Sequence, residues 1–286
     1  MATVDKSDAG FLEGDKLYVQ RARQALPILV RQAKAGQPIT YSGLAKELGM
    51  SNPRNMNFIL GAIGQALQHI SADWNEPVPM LQAIVLNKAT GFPGEGFGGF
   101  LPEGKAYKNL PSIQKEIIKN ALLADITTYK KWDEVLAFLD LAPHPDQSNH
   151  IQTIGTIGTG GEGPEHLQFK QWVRDHPEAI PFAGKVTSRS MEHTFPSGDA
   201  VDVAFTTRNS FVGVEVKSSI SQEADIFRGL FQCVKYLALI RAEQLLQSNK
   251  DNHQVFLALE GPFPTSLIPT SNLFGINVVD NLREKM

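Results

Sequence analysis

Between Ala200 and Lys217 the chain reads Ala-Val-Asp-Val-Ala-Phe, a polar stretch, then Val-Gly-Val-Glu-Val-Lys. Side chains of a strand alternate faces. Val212, Val214 and Val216 therefore point one way and Glu215 and Lys217 the other, while Val201, Val203 and Phe205 share a face opposite Ala200, Asp202 and Ala204. Burying both apolar sets together sets the parity of the pairing, because a slip of one residue would invert a face. The tightest turn of that parity is a two-residue loop, Arg208-Asn209. It predicts Asp202 opposite Glu215, Ala204 opposite Gly213 and Ala200 opposite Lys217.

Cβ atoms of directly opposed residues lie about 4.5–5.5 Å apart, and like charges there destabilise a sheet unless a cation lies between them. Magnesium takes hard oxygen ligands, typically one or two carboxylates, waters and substrate phosphate oxygens. Asp202, Glu215 and the backbone carbonyl of Val216 would supply the protein's share, with Mn²⁺ as the alternative ion. Lys217 would orient the attacking water and offset charge developing on a phosphate.

Two flanking helices extend this constellation. Glu165 opens a predicted helix, Glu165 to Asp175, after a Gly-Gly-Glu-Gly-Pro breaker, with Phe169, Trp172 and Val173 as its apolar stripe. That spacing puts Glu165 on the face turned to the core; the position also suits a solvated glutamate at the positive end of the helix dipole. In a second helix, from about Gln222 to Leu246, Arg228, Gln232 and Tyr236 fall at i, i+4 and i+8. Ile226, Leu230, Val234, Leu237 and Ile240 occupy the other face. The polar row reads either as a site wall touching phosphate or as a solvated face.

Glu165, Asp202, Glu215-x-Lys217 and Gln232, in the order helix, strand, strand, helix, together with Arg-Gly-Leu-Phe-Gln-Cys-Val-Lys-Tyr, resemble the PD-(D/E)XK nuclease superfamily, in particular its restriction-endonuclease-like branch, over about residues 150–286. The resemblance implies a metal cluster at Asp202 and Glu215, a catalytic Lys217 and supporting roles for Glu165 and Gln232. No proline precedes Asp202, and Asp199 rivals it for the first-aspartate role, but the hairpin register favours Asp202. Strands at Gln254–Leu259 and Gly275–Val279, with a short helix or turn from Pro264 to Leu273, would extend the sheet.

The front of the chain carries different signals. Arg21, Arg23, Arg31, Lys34, Lys46 and Arg54 face a single acid, Glu47, over residues 21–54, whereas residues 142–286 hold 12 basic and 16 acidic groups against an overall charge of −3. Substrate capture would therefore fall to the N-terminal part. Leu17–Ala35 reads as a helix with Gly36 as its stop; Gly43–Leu48, a turn at Gly49 and a helix from Pro53 to about Gln68 read as a helix-turn-helix. Arg54, Asn55 and Asn57 crowd the start of the second helix, where such helices meet bases and phosphates. Arg21, Arg31 and, in the C-terminal half, Arg228 complete the expected DNA contacts. Val78–Val85 reads as a strand and Asn87–Phe100 as a glycine-rich wing; helices follow at Pro111–Ala124 and Lys130–Leu141. The order from Ile39 to Phe97 is similar to the DNA-binding half of DNA alkyltransferases and alkyltransferase-like proteins. In that family a Pro-Cys-His-Arg motif accepts the alkyl group, and Pro79-Met80-Leu81-Gln82 stands at the matching place. A thioether forms no thiolate, so the resemblance implies winged-helix DNA binding without alkyl transfer.

The expected architecture is α/β: a mainly helical winged-helix-like domain (1–141), a linker (142–164) and an α/β domain (165–286) with a central mixed sheet flanked by helices. With 42% hydrophobic and 20% charged residues, no long apolar run and one cysteine, Cys233, the chain reads as a cytoplasmic protein without a membrane span or internal disulfide, with Cys233 a small core residue. The expected activity is metal-dependent hydrolysis of DNA, in restriction or another defence against foreign DNA by family analogy. The alternatives are a non-catalytic DNA-binding regulator and a nuclease acting on RNA. Cutting both strands takes two sites, which favours a homodimer, though the sequence shows no interface.

Overall fold

The computed structural model describes residues 12–94, 96, 107–145, 163–247 and 253–285, without the side chains of 244–247. The chain divides into two compact units, Met1–Asp146 and Gln147–Met286. Most of the expected linker, and part of the expected glycine-rich wing, lie outside the described residues.

The first unit is built on α1 (Leu17–Ala35), which runs through Pro27 and ends at Gly36, whose φ of 66° provides the left-handed stop. β1 (Ile39–Thr40) leads into α2 (Tyr41–Glu47), capped by the Thr40 hydroxyl on the Gly43 N–H. Gly49, at φ 64°, turns the chain. A 3₁₀ turn, Pro53–Asn55, then opens α3 (Met56–Trp74), which runs six residues past the expected end to Asn75 in the left-handed region. α1 and α3 bury Ala22, Leu26, Leu29, Ile59, Ile63 and Leu67 against each other, and α4 (Ser112–Thr128) and α5 (Trp132–Phe138) add Ile126, Trp132 and Val135.

The strand expected at Val78–Val85 is a 3₁₀ turn, Leu81–Ile84, followed by the short β2 (Val85–Leu86), which pairs with β1 in parallel. Pro77 and Pro79 lack the N–H groups a ladder needs. Beyond β2 a small hairpin closes through a bridge between Leu86 and Pro93, its turn held by Asn87 and by Gly91 at φ 70°.

The second unit is an α/β structure around one five-stranded mixed sheet, in the spatial order β3 (Val186–Thr194), β4 (Ala200–Thr207), β5 (Phe211–Lys217), β6 (Gln254–Leu259), β7 (Asn277–Val279). β3, β4 and β5 are antiparallel; β5, β6 and β7 are parallel. α6 (Pro164–Asp175) packs Phe169 and Val173 on one face with Val203, Phe205, Val212, Val214 and Val216. α7 (Glu223–Gln247), the crossover between β5 and β6, packs Ile226, Leu230 and Ile240 on the other face with Val255 and Leu257. α8 (Ile268–Phe274) precedes β7. Val234, expected on the apolar face of α7, is 37% exposed. β3 answers to no strand predicted above. Its sequence, Val-Thr-Ser-Arg-Ser-Met-Glu-His-Thr, is polar and largely exposed, as suits a strand at a sheet edge. Among the described residues no helix is long and apolar enough to cross a membrane.

Candidate functional site

The β4–β5 register follows from the alternation and the turn. Val203 faces Val214, Ala204 faces Gly213 and Phe205 faces Val212, and Thr207 N–H donates to the Ser210 carbonyl across the Arg208-Asn209 loop. The ladder ends at the Val203/Val214 rung. Continuing it would set Asp202 opposite Glu215 and then pair Val201 with Val216. That last rung is replaced: Val216 N–H donates 2.8 Å to Oδ2 of Asp202. Because the N–H and C=O of a strand residue point the same way, the Val216 carbonyl faces the gap so opened. Ala200 does not continue the ladder to Lys217; its carbonyl accepts the Tyr236 hydroxyl at 2.7 Å.

The alternation of β4 also breaks here. Val203 and Phe205 pack on the α6 side as expected, but Val201 joins the α7-side core. On the other flank of Asp202 the β3–β4 ladder skips Glu192, which stands at φ 52°. A left-handed non-glycine residue costs of order 1–3 kcal/mol and persists only when its surroundings hold it. What holds it is Lys170 of α6. Its side chain is fully buried, with Nζ 2.9 Å from Glu192 Oε1 and 3.1 Å from Asp202 Oδ1. A buried ammonium is tolerated only when paired, so the kink and the lysine depend on each other. The apolar stripe of α6 was legible in the sequence; the burial of Lys170 beside it was not.

Glu215 lies on the α7 side with its side chain 3% exposed. Burial pushes its carboxyl up to about 7, the neighbouring Asp202 charge adding to the effect and Lys217 opposing it. Lys217 Nζ donates to Glu215 Oε1 at 2.7 Å and to Gln232 Oε1 at 3.3 Å. Burial, then the Glu215 charge, raises the Tyr236 phenol, so it stays a donor. Gly229 lets α7 approach this closely: a Cβ there would lie 2.9 Å from both Lys217 Cε and Leu257 Cδ1. Cys233 is fully buried, and burial pushes its thiol up, so it packs the core rather than acting as a nucleophile.

These groups open onto a cleft of about 380 Å³ lined by Asp202, Glu215, Lys217, Gln232, Arg228 and His166, among others. Ser218, 4% exposed, lines it too, with its hydroxyl unpartnered among the described residues. Glu165 is exposed, and its carboxylate folds back toward Gly163. This corrects its expected core-facing placement: the neighbouring His166, one step around the helix, is the residue that meets the cleft. Asp199, the rival for the first aspartate, is taken up by Lys235 and Ser197 away from the cleft, and the Lys235 contact holds its carboxyl below the usual range.

Two carboxylates and a carbonyl directed into one gap are all hard oxygen donors, so Asp202, Glu215 and Val216 fit a magnesium or manganese ion. Among the described residues no three His, Cys, Asp or Glu side chains gather as a metal-holding group.

In the N-terminal unit Arg54, Asn55 and Asn57 are exposed at the start of α3, and Arg21 is half-buried on α1. Arg31 is not a free cation. It forks onto Glu47 at 2.5 and 3.0 Å with both side chains nearly buried, tying α1 to α2, which corrects its expected role as a DNA contact. A cavity of about 340 Å³ is lined by Tyr41, Arg54, Asn57, Gln82, Asn87 and Gly94, among others. Gln82, 5% exposed, presents both amide atoms without a hydrogen-bond partner among the described residues. Sequence reasoning placed Gln82 only in a motif lacking the alkyl-accepting cysteine.

The raised Glu215 pKa fixes a pH dependence for metal-free protein. The folded state holds a proton that the unfolded chain releases near 4.5, so this contribution to stability is complete below that pH and lost as pH rises through about 7. The loss amounts to roughly 3 kcal/mol, at about 1.4 kcal/mol per pH unit. Chelator-treated protein is expected to unfold at progressively lower temperature from pH 5 to pH 8, and Glu215→Gln to flatten that slope; equal slopes in the two proteins would contradict it.

Set beside known proteins, the chain matches no family model, no curated protein and no solved structure.

Proposed function

We propose that the chain is a divalent-metal-dependent endonuclease hydrolysing DNA phosphodiester bonds, with a restriction-endonuclease-like C-terminal unit and a winged-helix-like DNA-binding N-terminal unit. The carrying observation is the gap at the end of the β4–β5 ladder, where Asp202, Glu215 and the Val216 carbonyl meet beside the Lys217 ammonium. A bound magnesium or manganese ion would supply Lewis-acid charge against the scissile phosphate. Lys217, steered by Gln232 and Glu215, orients the attacking water and offsets charge developing on the phosphate oxygens. Arg228 and the Ser218 hydroxyl, which has no partner among the described residues, line the same cleft and suit neighbouring phosphate oxygens. Such an activity fits restriction or defence against foreign DNA.

In the N-terminal unit the exposed Arg54, Asn55 and Asn57 suit backbone and base contacts. Gln82, with donor and acceptor both unsatisfied among the described residues, suits the edge of a nucleobase, which offers an adjacent acceptor and donor.

A non-catalytic DNA-binding role is favoured by one observation: Lys170 and Lys217 already pair with both site carboxylates. Incubation of plasmid, single-stranded DNA and RNA with Mg²⁺, Mn²⁺ or chelator separates the readings. Cleavage is expected with either metal and none with chelator. Asp202→Asn, Glu215→Gln and Lys217→Met are each expected to lower the rate by about a thousandfold or more, with DNA affinity by anisotropy within a few-fold of wild type. Binding without cleavage under every metal condition would favour the regulator; cleavage of RNA alone would reassign the substrate.

Gly229→Ala tests the close approach of α7. The added methyl must displace Lys217, so cleavage is expected to fall roughly a hundredfold while the thermal midpoint moves only a few degrees; a wild-type rate would show that the position of Lys217 is not critical. Arg54→Glu and Gln82→Leu are each expected to weaken DNA binding about tenfold, the first with a shallower salt dependence and the second with an unchanged one. Wild-type affinity in both would remove the N-terminal unit from DNA capture.

A further inference from the structure

The second positive charge beside Asp202 comes from the protein itself. Lys170 is fully buried and binds the two acids that flank the break in the sheet, Asp202 on β4 and Glu192 on β3. The other oxygen of Asp202 is committed to the Val216 N–H. Asp202 therefore reaches the cleft as a carboxylate already fixed in rotation and already partly neutralised.

We propose that Lys170 is a positioning residue that restricts this site to a single divalent cation, its ammonium standing where a second ion would otherwise bridge Asp202 and Glu192. This rests on the metal-dependent reading of Asp202 and Glu215. Phosphodiester hydrolysis that uses two ions needs carboxylate oxygens to bridge or flank both. Here Glu215 serves the α7 side of the gap, and the oxygens on the α6 side are turned to the lysine. A protein-borne ammonium in that place supplies charge without exchanging with solvent, and it also keeps the left-handed Glu192 in place. Removing the positive charge leaves Asp202 and Glu192 as two acids turned to the place the ammonium held, a carboxylate pair open to tighter or additional metal.

The test is Mn²⁺ binding to the full chain, by calorimetry and by electron paramagnetic resonance, with circular dichroism on every variant. Wild type is expected to take up one ion. Lys170→Met, or Lys170→Gln if a polar replacement is needed for folding, is expected to bind a second ion or to bind Mn²⁺ about tenfold more tightly. Lys170→Arg and the double variant K170M/E192L are expected to bind one ion, the first because charge is kept and the second because Asp202 has lost the neighbouring acid. One ion at wild-type affinity in K170M and K170Q overturns the inference, as do two ions in wild type, and both results leave the metal-dependent reading standing. Loss of folding in K170M and K170Q while K170R folds also overturns it, making Lys170 a structural anchor only. Wild type that takes up no Mn²⁺, even with oligonucleotide present, removes the underlying reading and this inference together.

Discussion

The interaction on which the site depends is the contact of one buried ammonium with two acids on neighbouring strands. Without Lys170, nothing would compensate Glu192 for its left-handed backbone, and Asp202 and Glu192 would stand as like charges on neighbouring strands with no cation between them. With it, β4 can break its alternation at Asp202, drop the next rung to β5 and turn the Asp202 carboxylate onto the Val216 N–H. A sheet that kept its ladder through this point would have no gap, and the Val216 carbonyl would be spent on a strand partner.

The opposite side of the gap is organised by packing. α7 comes close because Gly229 has no side chain and Cys233 has a small one, and the space they leave is filled by the Lys217 stem and the Glu215 side chain. The same burial raises the Glu215 carboxyl, and Lys217 and Tyr236 offset part of that cost. The site is thus two acids and two lysines in a pocket with little water access, and its charge balance turns on small changes in position.

Several features were legible in the sequence for plain reasons. Valine alternation and a two-residue turn are enough to set a hairpin register, and Ala204 opposite Gly213 followed directly. Helix periodicity located α1, α6 and α7 to within a residue or two. Where periodicity was the wrong guide, the reason is local. Pro79 removes a donor that a strand at Val78–Val85 would need, and β3 has too few apolar residues to announce itself, being an edge strand whose pairing comes from β4. Glu165 and His166 differ by one step around a helix, a rotation of about 100°, and only packing decides which of them meets the cleft.

Charged residues mark the boundary most clearly. Arg31 and Lys170 both sit beside apolar stripes and look like solvated cations in one dimension; one locks α1 to α2 through Glu47, and the other holds the kink in the sheet. Their partners are distant along the chain, and an ion pair is made by whatever the fold brings near. What the sequence by itself determined was strand parity, turn, helix positions and the candidate acids with their lysine, because these follow from short-range alternation. The break in β4, the buried lysine beneath it and the close approach of α7 were decided by tertiary structure, because each depends on side chains meeting across layers that no local pattern encodes.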